Sequence, residues 1–165
     1  MAPEANQAVP RVHIRDLDES DLDEVVRIDA LHTGEAKPHY WRRIFGSFLS
    51  EQGAVGSMGL GVDGENGLAG YLFGEVRAVE FGSEPCGWIF AVGVEPKELR
   101  MGVADALLKC AKQRFRELDV TVLRTMVRRN DVPVLSFFRS GGFVGGSFAQ
   151  LELDLEAESG QEVES

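Results

Sequence analysis

Cysteine is scarce in this sequence, and its scarcity excludes two kinds of small protein. Cys86 and Cys110 are 2 cysteines among 165 residues, and they form no C-x-x-C pair. The 3 histidines, His13, His32 and His39, lie at no metal-ligand interval from them. The sequence therefore predicts neither a disulfide framework nor a zinc site, and we expect no bound metal.

The sequence also lacks a long apolar run and a targeting segment. No stretch approaches the roughly eighteen apolar residues that a membrane-spanning helix needs. Residues 1–10 have no basic start followed by an apolar run, which a secretion signal would show. We therefore expect a cytoplasmic protein with no membrane partner, and we predict that residues 1–10 form a flexible segment.

Positive charge is in short supply relative to negative charge. The chain has 17 Lys and Arg against 27 Asp and Glu, a formal net charge of -10. Most of such a surface repels nucleic acids and anionic membranes, so cationic or neutral small substrates fit better. Part of the acid lies in residues 156–165. We predict an acidic flexible tail there, because these residues bury too little apolar surface to offset their ordering entropy.

The apolar residues that are present predict a single domain of the α/β (α+β) class over residues 11–155. A hydrophobic fraction of 44% is sufficient for one full core. Turn sequences between the second, third and fourth strands favour an antiparallel meander. Apolar spacing predicts the order βααβββαβαβ, with strands at 12–17, 54–62, 68–81, 88–94, 120–127 and 148–156 and helices at 20–32, 38–49, 102–118 and 132–141.

Gly59 to Gly64 matches the G-x-G-x-x-G pattern letter for letter. In a dinucleotide-binding fold this pattern follows a strand and opens a helix, whose N-terminus faces the pyrophosphate. Here the pattern leads into another predicted strand, LAGYLFGEV. We therefore interpret it as the glycine-rich part of a hairpin and not as a nucleotide site.

A second glycine-containing segment, Val94 to Ala104, has the context that the first one lacks. An apolar strand ends before Pro96, and a helix opens near Gly102. A helix N-terminus beside a glycine offers unpaired N–H donors and the positive end of the helix dipole, which together bind an anion such as a pyrophosphate. On these residues alone, an ordinary strand-to-helix turn is an equal alternative.

Taken with the element order, this segment resembles the GNAT superfamily of N-acetyltransferases, whose phosphate turn reads V-x-P-x-x-[RQ]-x-x-G-x-[GA]. A second family segment, an Asn followed by a short helix ending in Y-x-x-x-G-F, is similar to Asn130 through Phe143. The resemblance covers about residues 11–155. It implies a mixed, mostly antiparallel sheet that is flanked by helices and splayed between its fourth and fifth strands, and it implies acetyl-coenzyme A as the cofactor.

The resemblance also implies which residues hold the cofactor. The fourth strand, bulged at Gly93, pairs with the pantetheine arm, and the amides from Arg100 to Asp105 hold the pyrophosphate. Leu99 stands where the family has Arg or Gln, so we predict weaker binding than the family pattern suggests. The implied set is Val92, Gly93, Val94, Leu99, Arg100, Met101, Gly102, Val103, Ala104, Asp105, Asn130 and Phe138.

In this family an amine attacks the thioester carbonyl directly, which requires an oxyanion donor and a base. The expected donor is the main-chain N–H of Val92 or Gly93. The fourth strand, GWIFAVGV, carries no carboxylate for the base. Glu75 on the preceding strand is the first alternative, followed by Glu35 and His39, and a chain of water molecules is equally reasonable.

The departing thiolate also needs a proton, and the usual donor is missing. The family's tyrosine falls on Phe138, which has no proton to donate. Tyr40 or water would replace it, or the thiolate would leave unassisted. Phe137 and Phe138 also suit a plain role as core anchors of their short helix.

The acceptor is expected along the first two helices and their connection, which form one wall of the family's acceptor groove. Carboxylates there would attract a cationic amine. The candidate wall residues are Asp29, His32, Glu35, His39 and Tyr40.

The resemblance implies an N-acetyltransferase for a primary amine of a small molecule, a lysine side chain or a protein N-terminus, and it implies a homodimer. A non-catalytic acyl-coenzyme A binding module is the alternative, and a small α/β domain without a cofactor is a third reading.

Overall fold

The computed structural model describes residues 12–49, 56–77 and 81–159. The chain separates into two compact units, one ending at Arg128 and the other beginning at Arg129, and each is described by itself. The predicted flexible segment at residues 1–10 lies outside the described residues, as does the predicted tail from residue 160 onward.

The described part of the first unit is a mixed five-stranded sheet with helices in the connections. The strands lie side by side in chain order. The first four are antiparallel neighbours and the fifth is parallel to the fourth, which confirms the predicted meander. The elements are β1 (Ile14–Asp16), α1 (Leu22–Thr33), α2 (Pro38–Phe48), β2 (Met58–Gly64), β3 (Gly67–Arg77), β4 (Cys86–Val94), α3 (Val103–Glu117) and β5 (Leu123–Arg124).

The splay between the fourth and fifth strands is present. In the described chain β5 pairs with Gly87 and Trp88 at the start of β4. Beyond Trp88, no described strand pairs with β4 on the β5 side. In the described chain this part of β4 pairs with β3 alone, along its other edge. The predicted fifth strand, 120–127, is therefore shortened to the part that reaches β4.

Helices cover both faces of the sheet. On one face Trp41 and Phe45 of α2 pack on β3, with ring centroids 5.5 Å from Tyr71 for Trp41 and 5.6 Å from Phe73 for Phe45. On the other face the glycines of β3 allow α3 to approach, because a Cβ atom at Gly70 would lie 2.7 Å from Val103. The alternation along β3 thus directs Tyr71 and Phe73 to the α1 and α2 side.

The hairpin interpretation of Gly59 to Gly64 is confirmed, since these residues lie in β2 and pair with β3. The glycines serve packing. A Cβ atom at Gly61 would lie 2.6 Å from a methyl group of Leu17, and one at Gly59 would lie 3.0 Å from the ring of Phe73. No helix follows the pattern to face a pyrophosphate.

The second unit contains two short helices, α4 (Val132–Ser140) and α5 (Leu155–Ser159). The Asp131 carboxylate caps α4 by accepting the N–H of Val134 at 3.3 Å. The Asp154 carboxylate caps α5 by accepting the N–H of Glu156 at 2.9 Å. The predicted tail thus begins, within the described residues, as a helical turn.

The predicted final strand at 148–156 is wrong for the described chain, which has no strand after β5. The apolar alternation that suggested it is present, but Leu151, Leu153 and Leu155 are all exposed. A strand requires a partner for its backbone groups, and no described strand pairs with this segment. None of the described helices has the length and apolar character needed to cross a membrane.

One arginine ties β1, the start of α1 and β2 together. The Arg15 guanidinium donates two hydrogen bonds to the Asp21 carboxylate, at 2.8 and 2.9 Å, and others to Asp63 of β2 at 2.7 to 3.1 Å. The Asp21 side chain is only 8% exposed. The Arg15 hydrogen bonds lower the pKa of Asp21 and also that of Asp63.

We predict that Asp21→Asn destabilises the fold by about 2 kcal/mol near pH 7, because it removes a charge-assisted, largely buried interaction. The lowered pKa means that this contribution is complete above the ordinary pKa of 3.8 and is lost as the pH falls through the folded-state value. Urea unfolding across this pH range should show the difference shrink in acid.

Asp23→Asn is the matched control, because Asp23 is an exposed carboxylate in the same turn. Its effect should stay within about 0.5 kcal/mol. Equal effects of the two substitutions, or a difference that does not change with pH, would contradict the role of the Arg15 to Asp21 pair.

Candidate functional site

The turn between β4 and α3 has an unusual backbone. A single 3-10 turn, Pro96–Glu98, follows β4. Arg100 and Gly102 then adopt left-handed conformations, with φ of 69° and 77°. For a residue with a Cβ atom, such as Arg100, this conformation is strained. Two left-handed residues so close together turn successive N–H groups toward one side.

Most N–H groups of this turn have no acceptor in the described chain, although the Met101 N–H donates to the Glu98 carbonyl at 3.3 Å. The first intrahelical acceptor is the Gly102 carbonyl, which accepts the N–H of Ala106 at 3.0 Å. The N–H groups of residues 103–105 therefore have no acceptor within the helix. In the described chain no acceptor approaches them or the N–H of Arg100. A Cβ atom at Gly102 would find no atom within 4 Å. The arrangement is that of an anion site.

The side chains of this turn divide between core and solvent. Val103 is buried, lies against Gly70 of β3 and fixes the start of α3. Leu99 and Met101 are 51% and 55% exposed, and Asp105 is also exposed. The described structure thus places the site's donors on the backbone, with apolar side chains beside them.

One extra residue in β4 changes which of its backbone groups point outward. Phe73 of β3 pairs with Ala91, whereas the next residue, Gly74, pairs with Ile89. Phe90 is therefore a β-bulge, and the bulge shifts the alternation of the strand by one residue. The bulge that the family resemblance implied at Gly93 lies three positions earlier.

The shifted alternation exposes backbone groups at the end of β4. The Glu95 N–H donates to the Ala69 carbonyl at 2.8 Å, beyond the paired part of β3. Because successive residues of a strand point to opposite edges, Gly93 also faces β3, whereas Val92 and Val94 face the other edge. That edge is the one where β5 has already diverged.

Gly93 is a glycine because an aromatic ring lies over it. A Cβ atom at this position would lie 2.6 Å from two carbons of the Tyr71 ring and 2.7 Å from its hydroxyl oxygen. Tyr71 is the residue opposite Gly93 in β3. The hydroxyl end of the Tyr71 ring therefore lies directly over Gly93 of β4.

Tyr71 is 2% exposed, yet no described residue makes a hydrogen bond to its hydroxyl. The described structure also contains no fully enclosed side-chain oxygen without a partner, so the exposed remainder of Tyr71 includes this oxygen. Burial raises the pKa of Tyr71, and the Asp29 carboxylate raises it further. The sequence prediction missed Tyr71, because the signal, a tyrosine opposite a glycine, requires the strand register.

Asp29 is held in place beside the two tyrosines. Its carboxylate accepts the indole N–H of Trp41 at 3.0 Å and lies 3.8 Å from the Lys37 ammonium, and its side chain is 15% exposed. Tyr40 is 45% exposed, and its pKa is raised by burial and then by Asp29. Two of the predicted wall residues are thus close to Tyr71.

His32, one of the predicted wall residues, is exposed and also contacts β4. Its Nε2–H donates to the Val94 carbonyl at 2.6 Å, so it joins the last turn of α1 to the exposed edge of β4. Arg27 of the same helix forms an ion pair of 2.6 Å with Glu95, the next residue. Together these contacts hold the start of the turn against α1.

Of the three carboxylate or imidazole bases considered from sequence, Glu75 is placed by the strand register away from Val92. Glu35 and His39 are exposed in and after the α1–α2 connection. Glu75 pairs with Trp88 and forms an ion pair of 3.0 Å with Arg77. It lies three residues beyond the partner of Val92 in β3, a separation of roughly 10 Å along the strand.

Asn130 and Phe138 belong to the second unit and are described within it alone. Asn130 is exposed, just before α4. Phe138 is 5% exposed and packs edge-on against the rings of Phe137 and Phe143, with centroids 5.0 and 5.1 Å away. The core-anchor interpretation is therefore confirmed for Phe138, and the cofactor role of both residues stays a prediction.

Solved structures share this fold at low sequence identity. A transcriptional regulator from Bacillus halodurans C-125 matches at 17% identity and a TM-score of 0.72, covering 87% of this chain and 99% of its own. An aminoglycoside antibiotic 6'-N-acetyltransferase from Acinetobacter haemolyticus matches at 18% and 0.68, covering 86% and 99%. An aminoglycoside N-acetyltransferase in complex with CoA matches at 13% and 0.75, covering 90% and 99%.

No curated protein matches the sequence closely enough to count as a relative. The family model of the acetyltransferase (GNAT) family, however, matches residues 16–143, which is most of the chain and includes the turn and the β4 edge. Acetyl-coenzyme A, the cofactor of that family, fits the turn's open N–H groups. The chain therefore belongs to the GNAT acetyltransferase family.

Proposed function

We propose that this protein transfers the acetyl group of acetyl-coenzyme A to a primary amine of a small cationic molecule. The observation that carries the proposal is the row of N–H groups at Arg100 and at residues 103–105, which have no acceptor in the described chain and lie beside the open space at Gly102. A pyrophosphate supplies the charge that such a row binds best.

The exposed edge of β4 provides the path from the turn to the thioester. An extended pantetheine arm adds to this edge as a further strand would, through main-chain hydrogen bonds. Val92 contributes its N–H and C=O, and Val94 contributes its N–H. The Val94 carbonyl is already engaged by His32, so the pairing begins one group later than an open strand would allow.

The alternation of β4 selects the oxyanion donor. Gly93 directs its N–H toward β3, whereas Val92 directs its N–H to the cofactor edge. We assign the oxyanion contact to Val92. A fixed N–H at this place stabilises the charge that develops on the thioester oxygen without reorganisation during the reaction.

The acceptor side supports a cationic substrate. Asp29, Tyr40 and the Glu35 connection lie on the face of the sheet that α1 and α2 cover, and the whole chain carries a net charge of -10. Several structural neighbours are named as aminoglycoside acetyltransferases, and aminoglycosides are polycationic amines. This similarity favours a small polyamine or amino sugar over a protein substrate.

Water is the base that fits the described site. Asp29 is engaged by Trp41 and Lys37, and Glu75 by Arg77. Glu35 and His39 are exposed to solvent, and no hydrogen bond or ion pair joins them to β4 within the described chain. We therefore propose that the ammonium proton leaves through water molecules at the mouth of the site.

We expect acetyl-coenzyme A to support thiol release on aminoglycosides and polyamines more rapidly than on lysine peptides or peptide N-termini. The measurement is coenzyme A thiol release across the panel. For the cationic acceptors, kcat/KM should fall as salt rises, because screening weakens their attraction to an acidic surface.

Two results would contradict this proposal in different ways. Tight coenzyme A binding with no turnover on any amine would favour the non-catalytic module, which the phenylalanine at position 138 makes the second candidate. If millimolar coenzyme A gives no thermal stabilisation, the protein does not bind this cofactor and the proposal is wrong at its first step.

For the turn, we predict that Gly102→Leu weakens coenzyme A binding by at least about tenfold, because the new side chain enters the space in front of the N–H groups. Gly82→Leu is the matched control. Both glycines have φ near 80°, 77° and 79°, and neither has an atom within 4 Å of a Cβ position. Each change should cost about 1–2 kcal/mol of stability through the same backbone strain.

Calorimetric titration with coenzyme A, combined with thermal unfolding, separates the two effects. A similar loss of affinity in both variants would show that Gly102 is structural and that the turn does not hold the cofactor.

Restoring the family's basic residue should tighten binding. Leu99→Arg adds a charge-assisted contact to the pyrophosphate, worth roughly 1.5–3 kcal/mol or about 10- to 140-fold in affinity. Leu118→Arg is the control, since it adds the same charge to an exposed leucine at the other end of α3. The gain at position 99 should exceed the gain at 118 in low and in moderate salt, and equal gains would count against the site.

A further inference from the structure

We infer that Tyr71 is the proton donor to the departing thiolate, in place of the missing tyrosine at position 138. The inference rests on the proposed function. It assigns a catalytic hydroxyl to β3, on a residue that the sequence pattern marks only as part of an apolar strand.

The first observation is the position of the hydroxyl. Tyr71 lies opposite Gly93, and its ring crosses β4 so closely that only a glycine fits beneath it. The next residue toward the bulge, Val92, presents the N–H assigned to the oxyanion. The Tyr71 hydroxyl therefore lies over Gly93, next to Val92, on the face of the sheet that α1 and α2 cover.

The second observation is that the Tyr71 hydroxyl makes no hydrogen bond within the described chain. The rest of Tyr71 is enclosed by aromatic neighbours, with Trp41 and Phe73 centroids at 5.5 and 6.0 Å. The hydroxyl makes no hydrogen bond to any described residue, although Asp29 lies on the same face. A buried phenol whose hydroxyl is not fully enclosed and has no protein partner has a donor available for a ligand.

The environment also keeps the phenol protonated. Burial and the Asp29 carboxylate both raise its pKa, so it is a hydrogen-bond donor throughout the neutral range. Tyr40 of α2, the other tyrosine on this face, is more exposed. The described α4 contributes no hydroxyl at position 138, where Phe138 is packed between rings.

The step balances without a further reactant. The amine nitrogen forms a bond to the acetyl carbon, and the carbonyl electron pair moves to oxygen. When the carbonyl reforms, the carbon–sulfur bond breaks and its electron pair goes to sulfur, which takes the Tyr71 proton. The proton lost by the amine returns to the phenolate through water, so amide and free thiol are formed.

The direct test is Tyr71→Phe, which removes one oxygen that has no protein partner. We expect kcat on the best amine of the panel to fall by about 100-fold or more. Coenzyme A affinity and thermal stability should be unchanged. Phe45→Leu is the control, since Phe45 packs in the same core without a hydroxyl. It should lower stability and leave kcat within about twofold.

A second measurement does not depend on the acceptor or on the folding of the Tyr71 variant. The chain has 2 tyrosines, so uniform 3-fluorotyrosine gives two fluorine resonances, which Tyr40→Phe assigns. Coenzyme A should shift the Tyr71 resonance, and desulfo-coenzyme A, which lacks the sulfur, should shift it less. The Tyr40 resonance should not distinguish the two ligands.

The outcomes separate the inference from the proposed function. If the protein turns over amines but Tyr71→Phe keeps kcat within twofold, the inference is wrong and the proposed function stands. If the Tyr71 resonance responds equally to the two ligands, the hydroxyl is not at the sulfur and the inference is wrong. If coenzyme A neither binds nor reacts, the proposed function fails first.

Discussion

Phe90, the extra residue in β4, determines which backbone groups of that strand face β3 and which face the open edge. Without it, the strand would keep the alternation of its first half, where the Gly87 N–H donates to the Val122 carbonyl on the β5 side. With it, Val92 and Val94 point to the open edge and Gly93 turns back to β3. A single inserted residue thus separates a paired half of the strand from a half that is free to bind.

Side chains of α1 contact the end of this free half. Residues of that helix engage consecutive positions at the end of β4, His32 the Val94 carbonyl and Arg27 the Glu95 carboxylate. Tyr71 covers Gly93 from the same face. An unpaired strand edge has N–H and C=O groups without ladder partners. Here side chains of α1 and β3 contact the end of that edge and leave the N–H groups of Val92 and Val94 unobstructed.

How far the sequence predicts this structure depends on the range of each interaction. Pro38 and Gly34 mark helix ends through local backbone geometry, and the predicted bounds of α2 are correct to one residue. The turn around Gly102 was predictable for the same reason. The partner of Gly93 was not, because strand register is set by contacts distant in sequence. The final strand failed likewise, since alternation at Leu151 and Leu153 names a pattern and no partner.

The cofactor turn shows why the loss of a family side chain need not remove a family site. Arg100 holds a left-handed conformation at a cost of about 1–2 kcal/mol, which a glycine would avoid. That strain persists because the flanking β4 end and buried Val103 fix the turn from both sides. The N–H groups therefore point outward whether or not a basic residue stands at 99. Leu99 subtracts one contact from an anion site whose geometry the backbone maintains.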